Sequence, residues 1–226
     1  MPEEINRILT DNVSNILFCP SQTAVNNLAK EGITHGVHLV GDIMYDLLLR
    51  FKDIANKRSK ILSSLRLKAK NYLLATLHRP SNADIPGNLK RILSAFERIG
   101  ESVVLPLHPR TLQTLKNSCL KIPSIIQLIK PVSYMDMIML EKNAKIILTD
   151  SGGVQKESYW LGIPCVTLRE ETEWVETVQT GWNILTGACP DRIIKAVHRI
   201  KLPVKRPQLY GDGHTTQRIV DCLAKD

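Results

Sequence analysis

Long apolar runs are absent from this sequence of 226 residues. No window approaches the roughly 18 uninterrupted apolar residues that a membrane-spanning helix needs. The opening residues Met1-Pro2-Glu3-Glu4 also lack the basic and apolar character of a signal peptide. We therefore predict no membrane partner and a cytoplasmic protein.

Paired cysteines are missing as well. Cys19, Cys119, Cys165, Cys189 and Cys222 are odd in number and widely spaced, and none forms a C-x-x-C pair. This pattern excludes a disulfide framework and offers no zinc-ligand spacing. We expect reduced thiols and no metal site.

Aromatic residues make up only 5% of the chain and form no stacking cluster, which argues against a nucleic-acid partner. The sequence has no internal repeat and no low-complexity tract. Thirty Lys and Arg against 22 Asp and Glu give a net charge of +8. Such an excess favours an anionic partner such as a phosphate or nucleotide, although solubility alone is an equal explanation.

Short apolar runs alternate with helical patterns along most of the chain. Runs with little polar alternation are typical of strands buried on both faces, and crossover helices supply that cover. The sequence predicts an α/β fold with a parallel sheet. The expected strands are Asn15–Cys19, Val37–Val40, Tyr72–Thr76, Val103–Leu107, Ile125–Leu128, Ile146–Leu148 and Cys165–Leu168.

The chain length amounts to about one and a half domains at roughly 150 residues each. The charged stretch Arg50–Lys70 has an apolar helical face, which favours a solvated linker helix over residues 46–66. Residues 1–45 then hold only two strands, too few for an independent sheet. We interpret them as the tail of another domain.

The segment Leu148–Glu157 combines a buried strand, the turn Ser151-Gly152-Gly153 and a helix. The free N–H groups and positive dipole at the start of such a helix suit a phosphate, although small residues also satisfy the geometry of the turn alone. Glu157, one turn into the helix, would accept hydrogen bonds from ribose hydroxyls or simply interact with the helix dipole.

Two histidines also follow predicted strands. His78-Arg79 follows the strand that begins at Tyr72, and His108 follows the next strand. Because ligands bind outside the carboxyl ends of parallel strands, we expect both histidines beside the glycine turn. Arg169 is the one cation in the glutamate-rich segment Leu168–Glu176, whose glutamates are adequately explained as helix-dipole partners.

Together these motifs resemble the non-hydrolysing UDP-N-acetylglucosamine 2-epimerases, whose fold has two Rossmann domains. The resemblance spans nearly the whole chain and implies a UDP-binding Rossmann domain over residues 67–207 and a crossing helix over residues 208–226. The matching motifs are Pro2–Arg7, Thr76–Arg79, His108-Pro109, Thr149–Glu157, Leu161–Pro164, Arg169–Glu173 and Tyr210–Gly213.

The resemblance also implies an isomerase activity and a set of site residues. UDP-GlcNAc and UDP-ManNAc would be interconverted by elimination and re-addition of UDP, with no cofactor and no metal. Glu3 and His78 match catalytic positions of the family. The UDP-binding positions are His108, Ser151, Gly152, Gly153, Glu157 and, less closely matched, Arg169, with Met137 where a phenylalanine often lies near the uracil.

Besides Met137, the sequence departs from the family pattern in two places. Trp174-Val175 replaces an Arg-Pro pair that is common in bacterial members, and most of the amino-terminal Rossmann domain is not matched. We therefore expect the chain to be inactive or dependent on a separately encoded amino-terminal half, and the resemblance also suggests a homodimer. A UDP-sugar-binding subunit and a glycosyltransferase donor domain are the alternative functions.

Overall fold

The structure is a computed structural model that describes residues 2–118 and 120–224, with the backbone alone for residues 2 and 3. Its contacts divide the chain into two compact units. Unit 1 comprises Met1–Arg50 and Pro207–Asp226, and unit 2 comprises Phe51–Arg206.

The elements of unit 1 are mostly short. In chain order they are α1 (Pro2–Val13), β1 (Leu17–Cys19), α2 (Gln22–Lys30), β2 (Val37–Leu39), α3 (Ile43–Arg58, which continues into unit 2) and, after unit 2, α12 (Thr215–Leu223).

The elements of unit 2 alternate between helix and strand. They are α4 (Ile61–Ser64), β3 (Leu73–Thr76), α5 (Pro80–Ala83), α6 (Pro86–Ile99), β4 (Val103–Pro106), α7 (Pro109–Ser118), β5 (Ile126–Ile129), α8 (Tyr134–Asn143), β6 (Ile146–Thr149), α9 (Gly152–Leu161), β7 (Cys165–Thr167), α10 (Val175–Gln179), β8 (Asn183–Leu185) and α11 (Pro190–Arg199).

Unit 2 is built on a six-stranded parallel sheet with the strand order β5-β4-β3-β6-β7-β8. The chain winds outward from β3 to β5 in one direction and from β6 to β8 in the other. The reversal between the paired strands β3 and β6 creates a topological switch point, the usual ligand position in such folds. The predicted α/β fold with a parallel sheet is confirmed.

Both faces of this sheet are buried, which explains the continuous apolar runs in its strands. Leu73 and Ala75 of β3 pack into a core with Phe96 of α6. Tyr72, just before β3, and Leu74 pack on the opposite face. Successive side chains of a strand point to opposite faces, so each strand contributes to two cores.

Strand β8 was not predicted from the sequence. Its first residue, Asn183, is polar but almost fully buried. The Asn183 side chain accepts a hydrogen bond from Thr167 Oγ1 at 2.8 Å and donates to Gln155 Oε1 at 3.1 Å. These bonds compensate the polar group for its loss of water, and this compensation cannot be seen in the sequence pattern.

Unit 1 contains a parallel pair of strands, β1 and β2. The carboxylate of Asp46 accepts hydrogen bonds from the backbone N–H groups of Thr215 and Thr216, at 3.2 and 2.7 Å, at the start of α12. Arg218 of the same helix donates to the carbonyl of Val40 at 3.1 Å. The closing helix is therefore bonded to the first fifty residues of the chain.

In the part of the chain that the structure describes, no helix is both long enough and apolar enough to cross a membrane. Cys19, Cys165, Cys189 and Cys222 are free thiols. Cys119 lies outside the described residues.

Candidate functional site

Asp150, the residue that follows β6, connects the two loops at the switch point. It is fully buried. Its carboxylate accepts hydrogen bonds from the backbone N–H of His78 at 3.1 Å, the backbone N–H of Arg79 at 3.1 Å and the side-chain amide of Asn82 at 3.2 Å. Sequence reasoning included Asp150 in a motif but gave it no role.

The same carboxylate orients the ring of His78. The Nδ1 atom of His78 lies 3.1 Å from Oδ1 of Asp150, and the imidazole is half-buried. A carboxylate at this distance favours a proton on Nδ1 and leaves Nε2 as the atom that can accept or deliver a proton. This pairing is typical of a histidine with a catalytic or ligand-binding role.

His108, which follows β4, has the opposite arrangement. Its Nδ1 atom accepts a hydrogen bond from the backbone N–H of Arg110 at 3.2 Å, so the neutral ring carries its proton on Nε2. The rings of His78 and His108 lie 5.6 Å apart between centroids. The structure thus brings together the two histidines that the sequence placed at one sheet edge.

A cavity of about 240 Å³ opens beside these histidines. Its polar lining includes both histidines and Ser151, and its apolar lining includes Met137 of α8 and Val154 of α9. A cavity with an apolar lining and a few polar groups is typical of a small-molecule binding site.

The start of α9 adjoins this cavity. Ser151 caps the helix, and its Oγ accepts a hydrogen bond from the backbone N–H of Val154 at 3.4 Å. Gly152 and Gly153 form the first turn of the helix with no positive φ angle. The glycines are therefore not needed for an unusual backbone conformation, and their small size leaves the helix N-terminus open.

Trp174 explains why residue 152 has no side chain. A β-carbon on Gly152 would lie 3.1 Å from Nε1 of Trp174, tighter than ordinary contact. The indole ring also lies 4.1 Å from the ammonium of the buried residue Lys156, measured to the ring centroid. This cation–π contact fixes the loop after β7 against the first turns of α9.

Arg169 is buried and forms a two-pronged ion pair with Glu173. The two nitrogen–oxygen distances are 2.9 and 3.0 Å. Although burial raises the pKa of the Glu173 carboxyl, the hydrogen bonds and charge of Arg169, together with the charge of Arg79, outweigh this effect and lower it. The positive charge of Arg169 is thus already balanced, and its contact with UDP stays a prediction.

Glu157 is buried on α9, and it has an acidic neighbour that the sequence did not reveal. Glu141 of α8 is fully buried. Burial raises the pKa of Glu141 well above its usual value, and the nearby carboxyl of Glu157 raises it further. Burial likewise raises the pKa of the neighbouring Tyr134 hydroxyl, with a contribution from Glu157.

The remaining predicted site residue is Glu3. Its backbone belongs to α1, and its side chain lies outside the described residues. Across residues 2–118 and 120–224, no group of three or more His, Cys, Asp and Glu side chains is placed to hold a metal ion.

A doubly wound parallel sheet, with a helix N-terminus and two histidines beside its switch point, defines a Rossmann-type fold. The family model described as UDP-N-acetylglucosamine 2-epimerase matches residues 1–224. The chain belongs to this family of isomerases, as its motifs predicted.

Three known proteins illustrate the similarity. A UDP-N-acetylglucosamine 2-epimerase homolog of Methanococcus maripaludis is 50% identical over 230 residues, which cover 99% of this chain and 64% of that protein. A UDP-2,3-diacetamido-2,3-dideoxy-D-glucuronate 2-epimerase of Pseudomonas aeruginosa is 45% identical and covers 100% of this chain and 64% of its own length.

The third is a crystal structure of the Methanocaldococcus jannaschii UDP-GlcNAc 2-epimerase in complex with UDP-GlcNAc and UDP. It has a TM-score of 0.91 and 41% identity, and the match covers 100% of this chain and 65% of that one. The chain therefore spans slightly less than two thirds of the relatives that it matches.

Proposed function

We propose that unit 2 binds UDP and that this chain forms the nucleotide-binding part of a UDP-N-acetylglucosamine 2-epimerase. The observation that carries this proposal is the meeting of three features at one switch point. These are the open start of α9, the cavity lined by His108 and Met137, and the ring of His78 held by Asp150.

Each part of UDP has a matching group at this edge. The N–H groups and dipole at the start of α9 suit the diphosphate. The apolar lining around Met137 suits the uracil, and the carboxylate of Glu157 suits the ribose hydroxyls. His108 Nε2–H is a further donor to the nucleotide.

The reaction proposed for the complete enzyme is an elimination followed by an addition. A base removes the proton from carbon 2 of the sugar. The electron pair of the broken carbon–hydrogen bond then forms the double bond between carbons 1 and 2. UDP leaves with the electron pair of the bond between carbon 1 and its oxygen. Addition of UDP and return of a proton to the opposite face complete the epimerisation. His78 Nε2 can hold or move a proton here, and Glu3 is a proposed carboxylate for carbon 2.

The identity to two UDP-sugar 2-epimerases also fits a second candidate, a UDP-sugar-binding subunit that works together with a separately encoded amino-terminal half. The names of two relatives give different sugar nucleotides as substrates, and both of these nucleotides contain UDP. UDP is therefore the probe that tests the site under either candidate.

The first prediction concerns the start of α9. Gly153→Asp is expected to abolish UDP binding, because its carboxylate would repel the diphosphate and block the helix N-terminus. Isothermal calorimetry with UDP measures the effect. Gly87→Asp is the matched control, since Gly87 is likewise the second residue of its helix, α6, and a β-carbon there would meet nothing within 4 Å. Unchanged affinity in Gly153→Asp would contradict the assignment.

The second prediction concerns Glu157. Glu157→Gln is expected to weaken UDP binding by about tenfold, the effect of losing a charged hydrogen-bond acceptor. Binding of inorganic diphosphate, which has no ribose, should change much less. Calorimetry with both ligands makes the comparison, and an equal loss for the two ligands would rule out a ribose contact.

A further inference from the structure

Glu173, in the loop after β7, lies next to the start of α9 and is not among the residues that line the cavity. A β-carbon on Gly152 would lie 3.7 Å from Oε2 of Glu173. The Glu173 side chain is 42% exposed, so the carboxylate is accessible to a ligand at the helix N-terminus.

The surroundings of Glu173 keep this carboxylate charged and fixed. Arg169 holds both of its oxygens, and the guanidinium of Arg79 lies 3.8 Å from Oε1. These cations keep the pKa of Glu173 below its usual value. An ionised carboxylate only accepts hydrogen bonds, and each oxygen retains lone pairs after pairing with an arginine.

Such a group does not suit a diphosphate, because two anions at one helix N-terminus repel each other. It does suit a neutral sugar, whose hydroxyl groups are hydrogen-bond donors. The order of the strands indicates where that sugar lies. The cavity is lined mostly by residues at or after the ends of β3, β4 and β5, with Ser151 and Val154 after β6, whereas Glu173 follows β7, which lies on the other side of β6 in the sheet.

A UDP-sugar with its base in the cavity and its diphosphate at the start of α9 therefore extends its sugar towards the loop after β7. We propose, as a step that rests on the proposed function, that Glu173 binds hydroxyl groups of the sugar and so distinguishes UDP-sugar from UDP. Arg169 and Arg79 are positioning residues that hold the Glu173 carboxylate in place.

The test compares the affinities of two ligands in one variant. Glu173→Gln is expected to weaken UDP-GlcNAc binding by about 10- to 100-fold, the effect of losing hydrogen bonds to a charged group. UDP binding should stay the same or become tighter, because the variant removes an anion beside the diphosphate. The ratio of the two dissociation constants isolates the sugar contact, since an effect on the diphosphate changes both constants equally.

Glu170→Gln is the matched control. Glu170 belongs to the same loop, but it is exposed and pairs with Arg192 instead of Arg169, so its ratio should equal that of the wild type. A wild-type chain that binds UDP, combined with an unchanged ratio in Glu173→Gln, would overturn this proposal alone. Failure of the wild type to bind UDP would overturn the proposed function together with it.

Discussion

Asp150→Asn is expected to lower the free energy of unfolding by roughly 2–5 kcal/mol, since two or more buried donors lose their acceptor at about 1–3 kcal/mol each. The carboxylate of Asp150 accepts from the backbone of His78 and Arg79 and from the side chain of Asn82. An asparagine amide group turned towards these donors offers them hydrogens in place of a lone pair. Urea unfolding followed by circular dichroism measures the loss.

The same substitution is expected to change the state of the His78 ring. Without a carboxylate beside Nδ1, the proton is no longer held on that atom, and both tautomers become populated. Nitrogen-15 NMR of labelled histidine distinguishes the two forms. This second measurement separates the orientation of His78 from a general loss of stability.

Asp191→Asn is the control for Asp150→Asn. Asp191 is exposed and pairs with Arg98 at 2.9 Å, and a surface ion pair contributes at most about 1 kcal/mol. Surface substitutions usually change the free energy of unfolding by no more than about 0.5 kcal/mol. If the free energies of unfolding of Asp150→Asn and Asp191→Asn differ by less than this, the buried carboxylate does not hold the two loops together.

The importance of Asp150 could not be read from the sequence, although its motif could. Asp150 and its partners are about seventy positions apart in the chain, and they meet only because β3 and β6 are neighbours in the sheet. Apolar runs predicted the individual strands well. They carried no information on which two strands lie side by side at the reversal of the winding.

Besides the pairing of strands, the partners of charged residues could not be predicted from the sequence. Sequence reasoning treated the glutamates after β7 as helix-dipole partners, whereas Glu173 pairs with Arg169 and Arg79. It assigned no role to Glu141, since no sequence pattern distinguishes a buried glutamate from the exposed glutamates that are usual. The packing of α8 and α9 encloses this residue, and only the three-dimensional arrangement reveals that.

Glu141 makes stability depend on pH in a direction that can be worked out. Burial first, and then the carboxyl of Glu157, raise the pKa of Glu141 above the value of 4.5 that an exposed carboxyl has. The phenols that sense its charge, Tyr134 and Tyr72, also have raised pKa values and stay neutral near pH 7. A raised pKa in the folded state means that the stabilising contribution is complete below pH 4.5 and is lost as the pH rises through the folded pKa.

Glu141→Gln is therefore expected to be more stable than the wild type at neutral pH, with a difference that grows as the pH rises. Between the unfolded and folded pKa values, the wild type loses up to about 1.4 kcal/mol per pH unit from this one group. Glutamine cannot ionise, so that loss disappears in the variant. Urea unfolding at pH 5, 6, 7 and 8 measures both curves.

The control is Glu97→Gln, which makes the same substitution at an exposed position of α6. Its free energy of unfolding should depend on pH in the same way as that of the wild type. Parallel curves for Glu141→Gln and the wild type would mean that Glu141 ionises as readily in the folded protein as in the unfolded chain. A convergence towards low pH would instead show that the folded protein keeps a proton on Glu141.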